Sequence, residues 1–110
     1  MSLAFAIDAL YDTGWHPTDP DGVRRHSDGR PFPSADAARR FFESRGLNLS
    51  VKHIQLFGCY RAEWADAAGR TVGAVVGMSE DEAAVFAMAR VQKPAHIVEQ
   101  AVTEQAVADA

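Results

Sequence analysis

The chain has 110 residues, 47% of them hydrophobic and 24% charged, with a single cysteine. That length suits one domain with one modest core, and the composition excludes a chain disordered throughout. No apolar run approaches the roughly 18 residues of a membrane span. The apolar opening, residues 1–10, lacks the basic segment of a secretory signal. Lone Cys59 excludes an internal disulfide and a multi-cysteine metal site, so a reduced, cytoplasmic setting is expected.

The net charge is −4, unevenly spread. Residues 1–20 carry three acids and no Lys or Arg, residues 21–53 seven basic against four acidic groups, and residues 54–110 four basic against eight acidic. The middle segment is therefore the one place where a polyanion could be attracted. Acids and bases interleave there, which describes a solvated surface as well as a binding patch.

Leu3, Ile7 and Leu10 share one helical face, with Ala4, Ala6 and Ala9 as helix formers. The sequence predicts a first helix capped by Ser2 and ended by Gly14. Residues 15–33 then hold four prolines, two glycines and several aspartates, a composition that predicts a long, partly ordered loop pinned by Trp15, Val23 and Phe32. Ser34 caps a second helix from Ala35 to about Arg45. Asp36 complements the dipole in its first turn, Ala38, Phe41 and Phe42 form its buried stripe, and Gly46 stops it.

Strands follow. From Ile54 one alternation reads Ile54, Leu56, Gly58, Tyr60, Ala62, Trp64 and is expected to face the core. Asp66-Ala67-Ala68-Gly69 is a turn, and Arg70–Gly77 the return strand, whose Gly73 and Gly77 point to a close backbone approach or a bulge. Ser79-Glu80-Asp81-Glu82 is a capping box: Ser79 accepts from the Glu82 backbone while the Glu82 side chain reaches back to Ser79. The helix it opens runs to about Gln92, ahead of Pro94, with Ala83, Ala87 and Val91 on its buried face beside Ala84 and Met88. So many alanines imply close contact with a sheet. The expected class is α+β: a small antiparallel three-stranded sheet packed on helices, with an additional N-terminal helix, as a single domain over residues 1–94. Residues 95–110 form a tail, helical or frayed, with Ile97, Val98, Ala101 and Val102 on one side.

From Ser34 the order is helix, strand, strand, strand, helix if residues 49–66 divide near Gly58. Tyr60-Arg61-Ala62-Glu63-Trp64, the run Thr71–Gly77, and Ser79 followed by Ala83 resemble the second strand, third strand and second helix of the double-stranded RNA-binding domain. The resemblance covers about 60 residues and implies that family's αβββα fold. The family's phosphate-binding lysines open the second helix, and the corresponding positions here hold Glu80, Asp81 and Ala84. The resemblance therefore supports the fold and argues against the RNA-binding activity.

Chemistry-bearing residues are sparse. His16, His26, His53 and His96 never pair at metal-ligand spacing, and Asp19-Pro20-Asp21 lacks the rest of a calcium loop, so no metal is expected. Cys59 has no nucleophile motif, although His53 could be folded onto it; without that, no catalytic residue is expected. No phosphate loop or dinucleotide fingerprint is present, and no cofactor is expected. Trp15 and Trp64, with Arg39 and Arg40, are the candidate binding residues; the tryptophans act so only if they leave the core.

Three readings of function remain. The first is a non-catalytic protein-interaction or scaffold module, with a homodimer or a protein partner. The second is a nucleic-acid binder using Arg24, Arg25, Arg39, Arg40 and Arg45. The third is a small-molecule-binding protein or enzyme with a pocket under the 15–33 loop.

Overall fold

The computed structural model describes residues 2–17 and 22–92. Helix α1 spans Leu3–Tyr11; the Ser2 hydroxyl accepts from the Phe5 amide at 3.2 Å and so caps it. Helix α2 spans Ala35–Glu43, capped by Ser34, whose hydroxyl accepts from Ala37 N at 3.1 Å. Helix α3 spans Glu80–Val91, and Ser79 accepts from Glu82 N at 3.1 Å. The Glu82 carboxylate reaches one residue further back than the expected partner, accepting from Met78 N at 2.9 Å, and is itself buried. The tail over 95–110 and the Asp19-Pro20-Asp21 pattern lie outside the described residues.

The segment expected as a loop over residues 15–33 contains a hairpin. Strand β1 (Val23–Arg25) pairs antiparallel with β2 (Pro31–Pro33), Arg24 facing Phe32. Prolines are tolerated because antiparallel pairs exchange hydrogen bonds only at alternate positions. Ser34 N donates to Gly22 O and His26 N to Arg30 O, both at 2.9 Å, so Pro31 and Pro33 fall at the pairs between, where no amide is needed.

Arg30 ties the hairpin to α1. Its guanidinium binds the Asp8 and Asp28 carboxylates and lies 5.8 Å from the centre of the Tyr11 ring. Tyr11 Oη donates to Pro31 O at 2.5 Å. Asp28 is held below the usual carboxyl range, first by the Arg30 backbone amide and then by its guanidinium. On the other side Arg24 reaches Asp81 in the first turn of α3 at 2.7 Å.

The three-stranded sheet has the antiparallel order β3-β4-β5, from β3 (Asn48–Ile54), β4 (Cys59–Ala65) and β5 (Thr71–Gly77). The single alternation expected from Ile54 is interrupted. Gln55–Phe57 form a 3₁₀ turn and Gly58 takes φ 62°, so Ile54 pairs with Cys59 and Leu56 is left 85% exposed. Beyond the turn the expected phase holds, with Ala62 and Trp64 buried. At the β4–β5 turn the Asp66 carboxylate accepts from Ala68 N and Arg70 N, both at 3.0 Å, and Gly69 takes φ 85°.

Helices α2 and α3 cover one face of the sheet, and α1 packs on α3. Helix α3 is thereby buried around most of its circumference, at Glu82, Ala83, Ala84, Val85, Ala87, Met88 and Ala89. Two glycines admit this packing. A Cβ on Gly77 would stand 2.6 Å from Ala83 N, and one on Gly73 would strike the Trp64 indole. The first is the close backbone approach expected; at Gly73 the neighbour is a side chain, and the ladder shifts register just beyond it, between Trp64 and Ala65.

Gly77→Ala is expected to destabilise the domain by about 1–3 kcal/mol, the cost of overpacking a well-filled site. Chemical denaturation checks it, and an unchanged midpoint at constant slope would count against so close an approach. Asp28 supplies a pH prediction. A carboxyl depressed in the folded state contributes stability above its unfolded pKa, about 3.9, and loses it as pH falls through the folded value. The melting temperature should fall with acidification below about pH 4, and Asp28→Asn should remove part of that slope. Identical pH profiles for the two proteins would contradict the assignment.

Candidate functional site

The face of the sheet turned away from the helices carries Ser50, Lys52 and Ile54 of β3, Cys59, Arg61 and Glu63 of β4, and Ala74 and Val76 of β5, with exposed Val72 the extra residue at the register shift. Cross-strand rows run Ser50–Glu63–Ala74 and Lys52–Arg61–Val76. Arg61 Nε donates to Glu63 Oε1 at 2.6 Å, and this hydrogen bond holds the Glu63 carboxyl below its usual range. The face is thus polar along β3 and β4 and apolar along β5.

Among the described residues β3 and β5 are the two edges of this sheet. Strand β3 carries Lys52 and His53, both exposed. Strand β5 reads Thr-Val-Gly-Ala-Val-Val-Gly, without a charge or a proline over seven residues. Val72 is 55% exposed and Val76 is also exposed. Leu56 and Phe57, at the β3–β4 tip, and Met78, just past β5, are further large apolar side chains in solvent. Sequence reasoning did not single these residues out as functional. The signal was the valine-rich run without charges, which by itself describes a central strand as well as an edge.

The residues that were singled out are dispersed. Trp64 is only 5% exposed and packs on Phe42 with ring centres 5.4 Å apart, so it is a core residue with no surface to present to a ligand. Arg39 pairs with Asp36 at 2.8 Å on the solvent side of α2. Trp15 and Arg40 do come together. With Gly22, Val23, Pro33, Ala37, Phe41 and Met88 they line a recess of about 230 Å³ between the hairpin, α2 and α3. That volume is below the roughly 300–1,000 Å³ of ordinary small-molecule sites.

The other arginines of the basic segment have intramolecular partners. Arg24 holds Asp81, Arg25 donates to Gly29 O at 3.0 Å, and Arg45 lies 4.5 Å from the centre of the Phe41 ring. His53 stacks on Tyr60, ring centres 4.7 Å apart, and its pairing puts it on the sheet face opposite Cys59, so the two form no dyad. Among the described residues no three His, Cys, Asp or Glu side chains gather as a metal site, and no helix is long and apolar enough to cross a membrane. Comparison with protein-family models, with curated proteins and with solved structures finds no match.

The start of α3 generates a prediction. Glu80, Asp81 and Glu82 already answer the helix dipole, and Arg24, which reaches this turn, is paired with Asp81. A duplex RNA of about 20 base pairs should show no retention at physiological salt in a mobility-shift titration. Tight binding that survives that salt, and is lost in an Arg39→Ala/Arg40→Ala protein, would promote the nucleic-acid reading.

Proposed function

We propose that this domain is a non-catalytic protein-interaction module that works by associating with a second copy of itself. The observation that carries the reading is the uncharged strand β5, with Val72 and Val76 in solvent at an edge of the sheet. Edges are commonly blunted with Lys, Pro, bulges or short strands; β3 carries Lys52, and β5 carries one register shift at Val72 followed by the uncharged run Gly73–Val76. Exposed apolar surface of this kind is characteristic of interaction sites. The dispersal of the candidate binding residues and the small volume of the Trp15 recess favour this reading over a small-molecule site.

Sedimentation velocity of the full chain from low micromolar to submillimolar concentration tests it. The sedimentation coefficient is expected to rise with concentration towards that of a dimer. A chain ending at Lys93 should behave in the same way, which assigns the association to the body of the domain. Monomer values at every concentration for the full chain would overturn the reading.

A further inference from the structure

We infer that the C-terminal segment, residues 95–110, folds back on its own chain and seats Ile97 and Val98 in the recess between the hairpin, α2 and α3. The inference goes beyond the self-association proposed above and does not depend on it.

The recess lies beside the end of α3. Met88 lines it, and Gln92, the C-terminal cap of α3, stands one turn further on, its backbone amide donating to Met88 O at 3.1 Å. The side-chain amide nitrogen of Gln92 is buried, yet among the described residues no acceptor reaches it. Leaving a buried donor unmade is costly, so an acceptor is expected close by. The residues that follow are tethered to Gln92 and bring a backbone carbonyl each.

The chain is long enough to reach. Pro94 keeps α3 from running straight on, because the residue before a proline disfavours helical backbone. Ile97 is five residues beyond Gln92, a span of at most about 17 Å when extended, while Met88 lies only about 6 Å back along the helix axis. The segment can therefore turn and enter the recess.

Its chemistry suits the site. Trp15, Val23, Pro33, Phe41 and Met88 supply the apolar wall of the recess. Its volume of about 230 Å³ is small for an ordinary small-molecule ligand and takes one or two aliphatic side chains. In helical spacing Ile97, Val98, Ala101 and Val102 fall on one side, a stripe too short to be stable alone in water. Residues 95–110 carry three acids and no Lys or Arg, whereas residues 21–53, which build the hairpin and α2 walls, carry seven basic against four acidic groups. A short tether also holds the segment at an effective concentration in the millimolar range, which a second molecule does not match.

Tryptophan emission tests the docking, because Trp15 lines the recess while Trp64 is in the core. Relative to the full chain, a chain ending at Lys93 should have emission more open to acrylamide and a melting temperature lower by several degrees. Full-length Ile97→Asp/Val98→Asp should match the shortened chain, and Thr103→Asp, on the other side of the helical spacing, should match the parent. A peptide of residues 94–110 added to the shortened chain should restore the protection saturably. Ala37→Leu fills the recess with a good helix former. It should weaken binding of that peptide by at least about tenfold without lowering the melting temperature of the shortened chain.

Equal quenching and melting for the full and shortened chains would overturn the docking, as would a peptide that binds the Ala37→Leu protein as tightly as its parent. Protection of the full chain that grows with protein concentration would overturn the folding back and place the segment on a neighbouring molecule.

Discussion

Helix α3 lies so close to β5 that one methyl group at Gly77 would meet the Ala83 backbone, and the remaining layers are arranged around that approach. The alanines of α3 let it sink towards the sheet, and Trp64, laid over Gly73, fills the space beside it. Once sunk, the helix is covered on its other sides by α1 and α2, so that even Glu82 is buried. The buried carboxylate is tolerated because it accepts from the Met78 amide where β5 turns into α3. The junction between β5 and α3 is therefore at once a packing contact and a polar one, and a change on either side of it reaches both.

The hairpin is held by charge and hydrogen bonds more than by apolar burial. Phe32 is its one large side chain in the core cluster, and the rest of its attachment runs through Arg30 to Asp8, Asp28 and Tyr11, and through Arg24 to Asp81. These pairs are partly exposed, and exposed pairs contribute little singly, typically about 0–1 kcal/mol. Their combined effect is positional: they hold a proline-rich segment across the top of α1 and α3, where it roofs the recess beside Trp15.

The sheet shows the opposite economy. Its helix-free face is graded, polar on β3 and β4 and apolar on β5, and the gradient ends at an edge that carries no charge. Among the described residues Val72 and Val76 stay 55% and 44% exposed, so neither belongs to the core. Exposed apolar side chains gathered along one strand are the feature on which the proposed association rests.

Local chemistry was enough to read the three helices from the sequence. Ser2, Ser34 and Ser79 each cap where a small hydroxyl precedes a helical run, because a cap is a contact between residues three apart. The turn at Asp66–Gly69 and the close approach at Gly77 were legible for the same reason, since a backbone that needs a left-handed φ or a missing Cβ selects glycine. Other features required distant contacts. The hairpin at 23–33 was hidden by prolines, whose compatibility with a strand depends on which pairs of the ladder exchange hydrogen bonds. Leu56 read as core by alternation, and only the break at Gln55–Gly58 turned it outward. Of the candidate site, Trp15 and Arg40 were named from sequence, while their meeting across the recess was set by the docking of the hairpin on α2. Whether Val72 and Val76 belonged to a central strand or to an edge was decided by strand order alone, because a run of valines satisfies both environments and only the tertiary structure says how many neighbours the strand has.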